Sequence, residues 1–452
     1  MPVWPHLWLV ALGLIGAVAG LIVVVVWLVV GVVCGLRRRP GPSRRWLLAG
    51  LLVVLGPLAA RGAIRWRQAT VDQTAVDLAM IPAAFRPAPV AQVTAPPGYQ
   101  LLAGDLHCHI SPPDVPYHAS RGLDDTVRLA RAEGLDFVGL TPHVWTHLLA
   151  DPRERAALLD GQRELRERLA RTDTGGVLFT VGAESTDDTW GHVGLLFGDF
   201  EQALAGVTDD EVATDLSGLF TRHVRSGGLL FIHHPLLQPI AIRLPGFGLD
   251  ISWRPFTSPD VPPPAHIRTV TRLAAGIEAD NLLVSALRDR IAFGDDQKSV
   301  REVLALIDRQ IVQQQRRLVP VGGSDSHSYY TRGLTYVLAR ERSLESIREA
   351  MLAGRVCVRD PHACGLEVRR PGGEFHPVGA SFLDVDAIEL RVPAGQAEVL
   401  RNGTSIAHLA DASIVRIPTP RGACSLVRIV ASGGHSAPVY ANCPFASPHE
   451  SR

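Results

Sequence analysis

Leu101-Leu102-Ala103-Gly104-Asp105-Leu106-His107-Cys108-His109 is the stretch on which the reading of this chain turns. An apolar run that ends in alternating polar residues reads as a buried strand, 101–106, emerging into a chemical site. Alternate side chains of a strand share a face, so His107 and His109 can point at one ion while Cys108 points away, into the core. The pattern recurs along the chain. Phe137–Leu140 runs into Thr141-Pro142-His143, and Val177–Val181 into Gly182-Ala183-Glu184. His192 opens a following hairpin whose strand is Val193–Phe197. Leu229–Ile232 runs into His233-His234-Pro235, and Val319–Gly322 into Gly323-Ser324-Asp325-Ser326-His327. Ile277 opens another short strand. Helical stretches separate these runs: Leu123–Glu133, Arg153–Arg171, Glu211–Ser226, Ser299–Arg317 and Leu344–Leu352. Strand–helix alternation of this kind predicts an α/β fold, a mainly parallel sheet with helices outside it.

The polar clusters all fall at strand ends. A lone histidine there is ordinarily a capped or core residue. Six histidines (His107, His109, His143, His192, His234, His327) and three carboxylates (Asp114, Glu184, Asp325) in one place are a different matter. Burying them together is costly unless cations neutralise them. Barrel enzymes carry their chemistry at the C-terminal ends of strands. Mixed imidazole and carboxylate ligands suit zinc, manganese or iron, and not calcium. A structural metal needs only four closed ligands, so this larger set argues against a non-catalytic metal-binding membrane receptor, the reading from another functional class. His118, His147, His223 and His266 lie outside the motifs and read as surface or loop residues.

Composition bounds the rest. The chain has 452 residues, 45 basic and 45 acidic, so its formal net charge is zero and no broad footprint for nucleic acid is expected. Its six cysteines contain no CxxC pair, which excludes a zinc finger or thioredoxin-type site. Leu7–Leu36 carries no charge. As a helix its thirty residues would reach about 45 Å, enough to cross a hydrocarbon core of roughly 30 Å. A second run, Trp46–Ala60, would reach only about 22 Å. Arg37, Arg38, Arg39, Arg44 and Arg45 between them should stay cytoplasmic. Positive charges that follow the first run do not fit a cleaved signal peptide. Two spans would put the catalytic part outside the cytoplasm, which is the expectation here, although Arg61, Arg65 and Arg67 pull the other way. One span would leave it inside.

Four segments result: a membrane region, 1–67, with one or two transmembrane helices; an Ala/Pro-rich tether, 68–98, with room for a short amphipathic helix near Val71–Met80; a catalytic region, 99–361; and a small all-β region, 362–452, with sandwich character. Within the third, residues 235–268 hold many prolines and read as a loop insertion over the site. In the fourth, Asn402-Gly403 is a hairpin-turn signal.

Together the Asp-Leu-His-Cys-His opening, Thr141-Pro142-His143, Gly182-Ala183-Glu184, His234-Pro235 and Gly323-Ser324-Asp325-Ser326-His327, in that order, resemble the PHP (polymerase and histidinol phosphatase) superfamily across roughly residues 99–361. The ending Tyr440-Ala441-Asn442-Cys443-Pro444 looks like the tail of the branch that includes carbamate-insecticide hydrolases. The resemblance implies a distorted (β/α)7 barrel with two or three divalent metals. His107, His109, Glu184 and Asp325 would hold the first. Glu184 would bridge to a second, shared with His192 and His234, the His-Pro motif favouring His234 over His233. Asp114, His143 and His327 would hold a third. Pro142 stands where the family usually has aspartate, a position that is not normally a ligand. Glu278 and Asn281 would face the pocket in a substrate or supporting role, and Arg332 could hold an anionic group.

The implied chemistry is hydrolysis by a metal-activated water on a small-molecule ester, with Glu184 between the metals and His234 or His327, if free of metal, as proton donor. Phosphoester hydrolysis is the first choice and carbamate or carboxyl-ester hydrolysis the alternative. Cys424 with Cys443, and Cys357 with Cys364, are candidate disulfides if the region is extracytoplasmic; reduced thiols throughout are the other reading.

Overall fold

In the computed structural model, residues 93–114, 119, 121–237, 240–241, 248–249, 251–283, 300–328, 330–393 and 395–445 are described, together with residues 25–27, 30 and 91. The apolar runs Leu7–Leu36 and Trp46–Ala60, the arginine loop, the Val71–Met80 segment, His118 and most of the tether therefore lie outside the described residues, the four helical positions 25–27 and 30 excepted. Among the described residues no helix is long and apolar enough to cross a membrane.

Two compact units are formed. One comprises Pro87–His109, Thr126–Ser326 and Tyr330–Arg452; the other comprises Met1–Arg86, Ile110–Asp125 and His327–Tyr329. All strands below belong to the first.

Eleven strands frame the catalytic region: β1 (Gln100–Cys108), β2 (Phe137–Leu140), β3 (His143–Trp145), β4 (Leu178–Val181), β5 (Ala183–Asp187), β6 (Gly191–Leu196), β7 (Leu229–Ile232), β8 (Gly276–Asn281), β9 (Val319–Gly323), β10 (Thr335–Ala339) and β11 (Val356–Val358). β1, β2 and β4 are parallel neighbours, as are β7, β8 and β9. β2 leads directly into β3, and β4 into β5, carrying the chain from one sheet to the next, where β3 and β5 are parallel. The ring closes between β1 and the chain beyond β9: Asp325 N–H donates to His107 O (2.7 Å) and His109 N–H to Ser326 O (3.0 Å). Glycine permits this approach. A Cβ on Gly323 would lie 2.3 Å from the Cβ of His107.

Two strands run against the mainly parallel order: β10 is antiparallel to β1 and β11, and β6 is the return strand of the hairpin that His192 opens. β6 runs antiparallel to both β5 and β7, because it returns through the tight turn at 188–190 with no helix between. The predicted helix 211–226 is two helices, Asp209–Thr214 and Ser217–Arg225. Asp215 is extended, and its carboxylate accepts from the Ser217 N–H (3.2 Å) and hydroxyl (2.8 Å), ending one helix and restarting the next. His223 is not a surface residue. It lies on the apolar face of Ser217–Arg225 beside Leu219 and Phe220, fully buried, with Nε2 3.2 Å from Leu196 O.

The C-terminal β region is joined to this frame through the backbone. An 11-stranded sheet runs from β4 through β2, β1, β10 and β11 into Gly434–Ser436, Ser425–Ala431 and Val439–Ala441. A second sheet of four strands includes Glu367–Arg369, Ala387–Val392 and Ser413–Pro418. Leu102, Val337 and Val356 share one buried apolar cluster with Ile388, Val399 and Ile429, so the core is continuous across residue 361. The Asn402-Gly403 turn has φ of 50° and 79°, the two left-handed residues that a tight two-residue hairpin demands. Cys357–Cys364 and Cys424–Cys443 are disulfides, with Cα separations of 5.4 and 4.3 Å. A buried ion pair ties the β region to the helix Val300–Gln314: Arg428 Nε donates to Asp308 Oδ1 at 2.9 Å.

Candidate metal centre

Alternation works as the sequence suggests at the end of β1. Leu106 and Cys108 are buried in the core, while His107 and His109 bring their Nε2 atoms to 3.2 Å of each other. Asp325 Oδ1 lies 3.4 Å from both Nε2 atoms. Sheet register supplies Glu184: in the parallel β3–β5 pair it stands directly beside His143. Glu184 Oε1 is 3.1 Å from His107 Nε2, 3.3 Å from His192 Nδ1 and 3.6 Å from His234 Nε2. Its other oxygen faces His143 Nε2 at 3.4 Å and His109 Nε2 at 3.7 Å. Glu184 is 1% exposed and His109 0%, so these groups are out of water.

Two donor sets of metal-binding geometry result within this unit, His107–His109–Asp325 and His107–Glu184–His234. Their spacing can be tested against a cation. Donors at about 2.0–2.1 Å from a tetrahedral ion lie roughly 3.3–3.4 Å apart. The distances of 3.2, 3.4 and 3.4 Å in the first set match that spacing. Two Nε2 atoms facing each other can share a hydrogen bond only if one carries the proton, whereas a cation takes both lone pairs. The donor set therefore fits divalent metal.

Electrostatics point the same way. Burial alone would raise the Glu184 carboxyl, but His192 and His107 outweigh it and hold it well below its ordinary range. Burial would lower His107, and Asp325, Glu278 and Glu184 overcome that and raise it well above the usual imidazole value. This is a pocket of excess negative charge drawing in positive charge. For His233, burial and the neighbouring His107 win, and its imidazole is pushed down to about 4.

Of the adjacent pair, His234 presents Nε2 to the cluster while its Nδ1 meets Ile251 O at 2.9 Å. His233 instead turns Nδ1 to Glu184 Oε1 at 2.7 Å and stacks on His107 at 3.7 Å. The backbone here is left-handed: His234 and Asp325 have φ of 26° and 49°, a region that non-glycine residues seldom occupy. Part of the proline-rich segment reaches this point, through Ile251 and through Ser252, whose carbonyl packs against Gly191. Residues 238–239, 242–247 and 250 are outside the described residues.

The remaining sequence-predicted residues take varied places. Asp114 and His327 belong to the other compact unit, where Asp114 N–H donates to Ile110 O at 3.0 Å. Glu278 lies behind His107, with Oε1 2.9 Å from Nδ1, and Asn281 Nδ2 donates to Asp325 Oδ2 at 3.1 Å. Arg332 gives its backbone N–H to Asp105 Oδ2 (3.3 Å), and its Nε lies 3.9 Å from Glu133. His147 is exposed beside Asp188, and His266 sits in the helix Ala265–Leu273.

Sequence reasoning assigned no role to Asp105. Its carboxylate accepts from the N–H groups of His107 (3.2 Å), Ser324 (2.9 Å) and Arg332, tying the two ligand-bearing chain ends together. The signal was present: Asp105, His107 and His109 share one face of the strand.

No family model matches this sequence, and no curated protein matches it. Solved structures that are similar include two of low identity. One is a two-domain protein from Bacteroides vulgatus ATCC 8482, described as containing a "predicted PHP-like metal-dependent phosphoesterase", at 17% identity over 77% of this chain and 95% of that one, TM-score 0.41. The other is PsfC from Pseudomonas syringae PB-5123, at 18% identity over 56% and 88% of the two chains, TM-score 0.31. The case for function rests on the site's own geometry.

Proposed function

We propose that this chain is a membrane-anchored, PHP-type metal-dependent hydrolase built on a distorted (β/α)7 barrel, and that its substrate is a phosphoester. The observation that carries the hydrolase reading is the buried cluster in which His107, His109 and Asp325 stand 3.2–3.4 Å apart with Glu184 against it. His107 and His109 through Nε2 and Asp325 through Oδ1 would hold one divalent cation. Glu184 Oε1 with His234 Nε2 would face a second, and His192 adds Nδ1 on the same oxygen. A third, held by Asp114, His143 and His327, is part of the reading. Bound zinc, manganese or iron would supply Lewis acidity and lower the pKa of water towards neutrality.

The protein groups do the rest. Glu184, deprotonated and buried, keeps negative charge between the imidazoles. Asp105 fixes the two chain ends that carry His107 and Asp325. His234, with Nδ1 held by Ile251 O, keeps Nε2 aimed into the site, and whichever of His234 and His327 is free of metal would give the leaving group its proton. Carbamate or carboxyl-ester hydrolysis remains the alternative substrate class.

Membrane anchoring rests on the uncharged run Leu7–Leu36 and the five-arginine loop. The two disulfides support an extracytoplasmic catalytic part, since such bonds persist in oxidising compartments. Neither a lipid contact beyond the anchor nor a nucleic-acid partner is part of the proposal. Metal analysis of the purified protein, with a screen of phosphate mono- and diesters, carbamates and carboxyl esters, tests it. Metal-dependent turnover of a phosphoester is expected. Metal-free protein inert to added zinc and manganese would sink the hydrolase reading, and turnover of carbamates alone would replace the phosphoesterase reading.

A further inference from the structure

We infer that Glu278 is a positioning residue that couples three ligands of the centre, and that it acts on them and not on substrate. The inference rests on the metal reading above. Glu278 is 2% exposed and stands on β8. Its Oε1 is 2.9 Å from His107 Nδ1. Its Oε2 accepts from the His234 backbone N–H at 2.7 Å and from Asn281 Nδ2 at 3.0 Å. Asn281 passes the contact on to Asp325 Oδ2 at 3.1 Å. His107, His234 and Asp325, which come from three distant parts of the chain, therefore converge on one carboxylate.

Each contact has a chemical consequence. An ionised carboxylate only accepts, so the His107 Nδ1 that faces it carries a hydrogen. The lone pair of His107 is then at Nε2, the atom that meets His109, Glu184 and Asp325. A ligating histidine anchored in this way is fixed in tautomer and ring angle. At His234 the same carboxylate holds backbone: φ is 26°, and the N–H bond keeps the residue in that left-handed conformation with its ring turned to the site. A register shift between Glu278 and Asp280 makes the arrangement possible. In a regular strand, residues three apart point to opposite faces; the bulge brings Glu278 and Asn281 to the same side.

Glu278→Gln tests this in the full-length protein. Glutamine has the same shape but only one accepting oxygen, so it cannot accept from His107 on one side and from His234 and Asn281 on the other. Affinity for zinc(II) alone, read by competition with a chromophoric chelator, should fall about 10–100-fold, the usual loss when such a partner is removed. The visible spectrum of cobalt(II) in the site should change as well, while the unfolding midpoint of the metal-free protein stays that of the wild type. Zinc affinity equal to wild type, or a raised KM with metal affinity intact, would overturn the inference; the second result would make Glu278 a substrate contact. Should the variant fail to fold, Asn281→Ala leaves Glu278 on His107 and His234, removes the amide that joins it to Asp325, and should weaken zinc binding by a smaller factor. Unchanged affinity there overturns the inference equally. A wild-type chain that binds no zinc would instead refute the metal reading beneath it.

Discussion

Two ends of one compact unit bury opposite kinds of side chain. Along β5 and around the ends of β1, β7 and β9, strands of two different sheets, carboxylates and imidazoles are enclosed where an apolar core would be more stable, and His234 and Asp325 are held at φ values that non-glycine residues resist. At the other end, Val427, Ile429 and Val439 pack against Ile388 and Leu390 of the facing sheet, and disulfides close the chain. The first end has the character of a site and the second that of a support. A protein that concentrates buried charge in one region does well to hold the adjoining region rigid, because ligand spacing of tenths of an ångström is meaningful only on a fixed frame.

Breaking the site end should give the largest effect. Glu184→Ala should remove bound metal and cut turnover of the screened ester on the order of a thousandfold or more; normal metal content and rate would refute its assignment. Next is the Arg428–Asp308 pair, where the support is itself charged. Arg428→Met alone leaves a buried carboxylate unpaired and should cost about 3–5 kcal/mol, whereas Arg428→Met with Asp308→Leu should recover most of that. Denaturant unfolding of the single and double variants decides it, and equal losses would mean that the pair acts through packing alone. Cys424→Ala with Cys443→Ala opens a loop of 19 residues and should cost about 3 kcal/mol in the chain-entropy model, with zinc affinity preserved. Loss of zinc binding in that variant would erase the distinction between the two ends.

The smallest effect is expected in mild acid. Burial pushes both His223, in the helix Ser217–Arg225, and His435, in the β region, down to about 4. Above the ordinary imidazole pKa of about 6.5, folded and unfolded chains are both neutral at these positions and stability does not vary with pH on their account. Between about 6.5 and 4 only the unfolded chain takes up the proton, so stability falls as pH falls, by at most about 3 kcal/mol for each residue. His223→Gln and His435→Gln should each flatten that slope in urea titrations; an unaltered slope would show that the loss comes from elsewhere.

The site end was largely legible in the sequence, and the support end was not. His107, His109 and Glu184 announce themselves because strand alternation and strand ends are local properties. Both cysteine pairs were readable as candidates from their position in or beside β-like runs. The role of Glu278 was hidden because a bulge, which has no signature in the residues Gly276–Asn281, reverses the facing of Asn281. His223 was misjudged because a histidine on a helix's apolar face looks like a polar residue until the helix is docked. The antiparallel course of β10 and the continuity of the sheet across residue 361 depend on pairings such as Gln100 with Ala339 and Val358 with His435, which link residues far apart in sequence.

That last pairing bears on where the molecule can be cut. A fragment ending at residue 361 would match the edge of the sequence resemblance and look like a self-contained catalyst. It would instead strip Gly434–Ser436 from β11 and leave a short row of open N–H and C=O groups, flanked by apolar side chains that the β region now covers. Such an edge invites a second chain to dock in place of the missing strand. The apparent border at residue 361 is a seam, and unpicking it would turn the chain's interior into an adhesive surface.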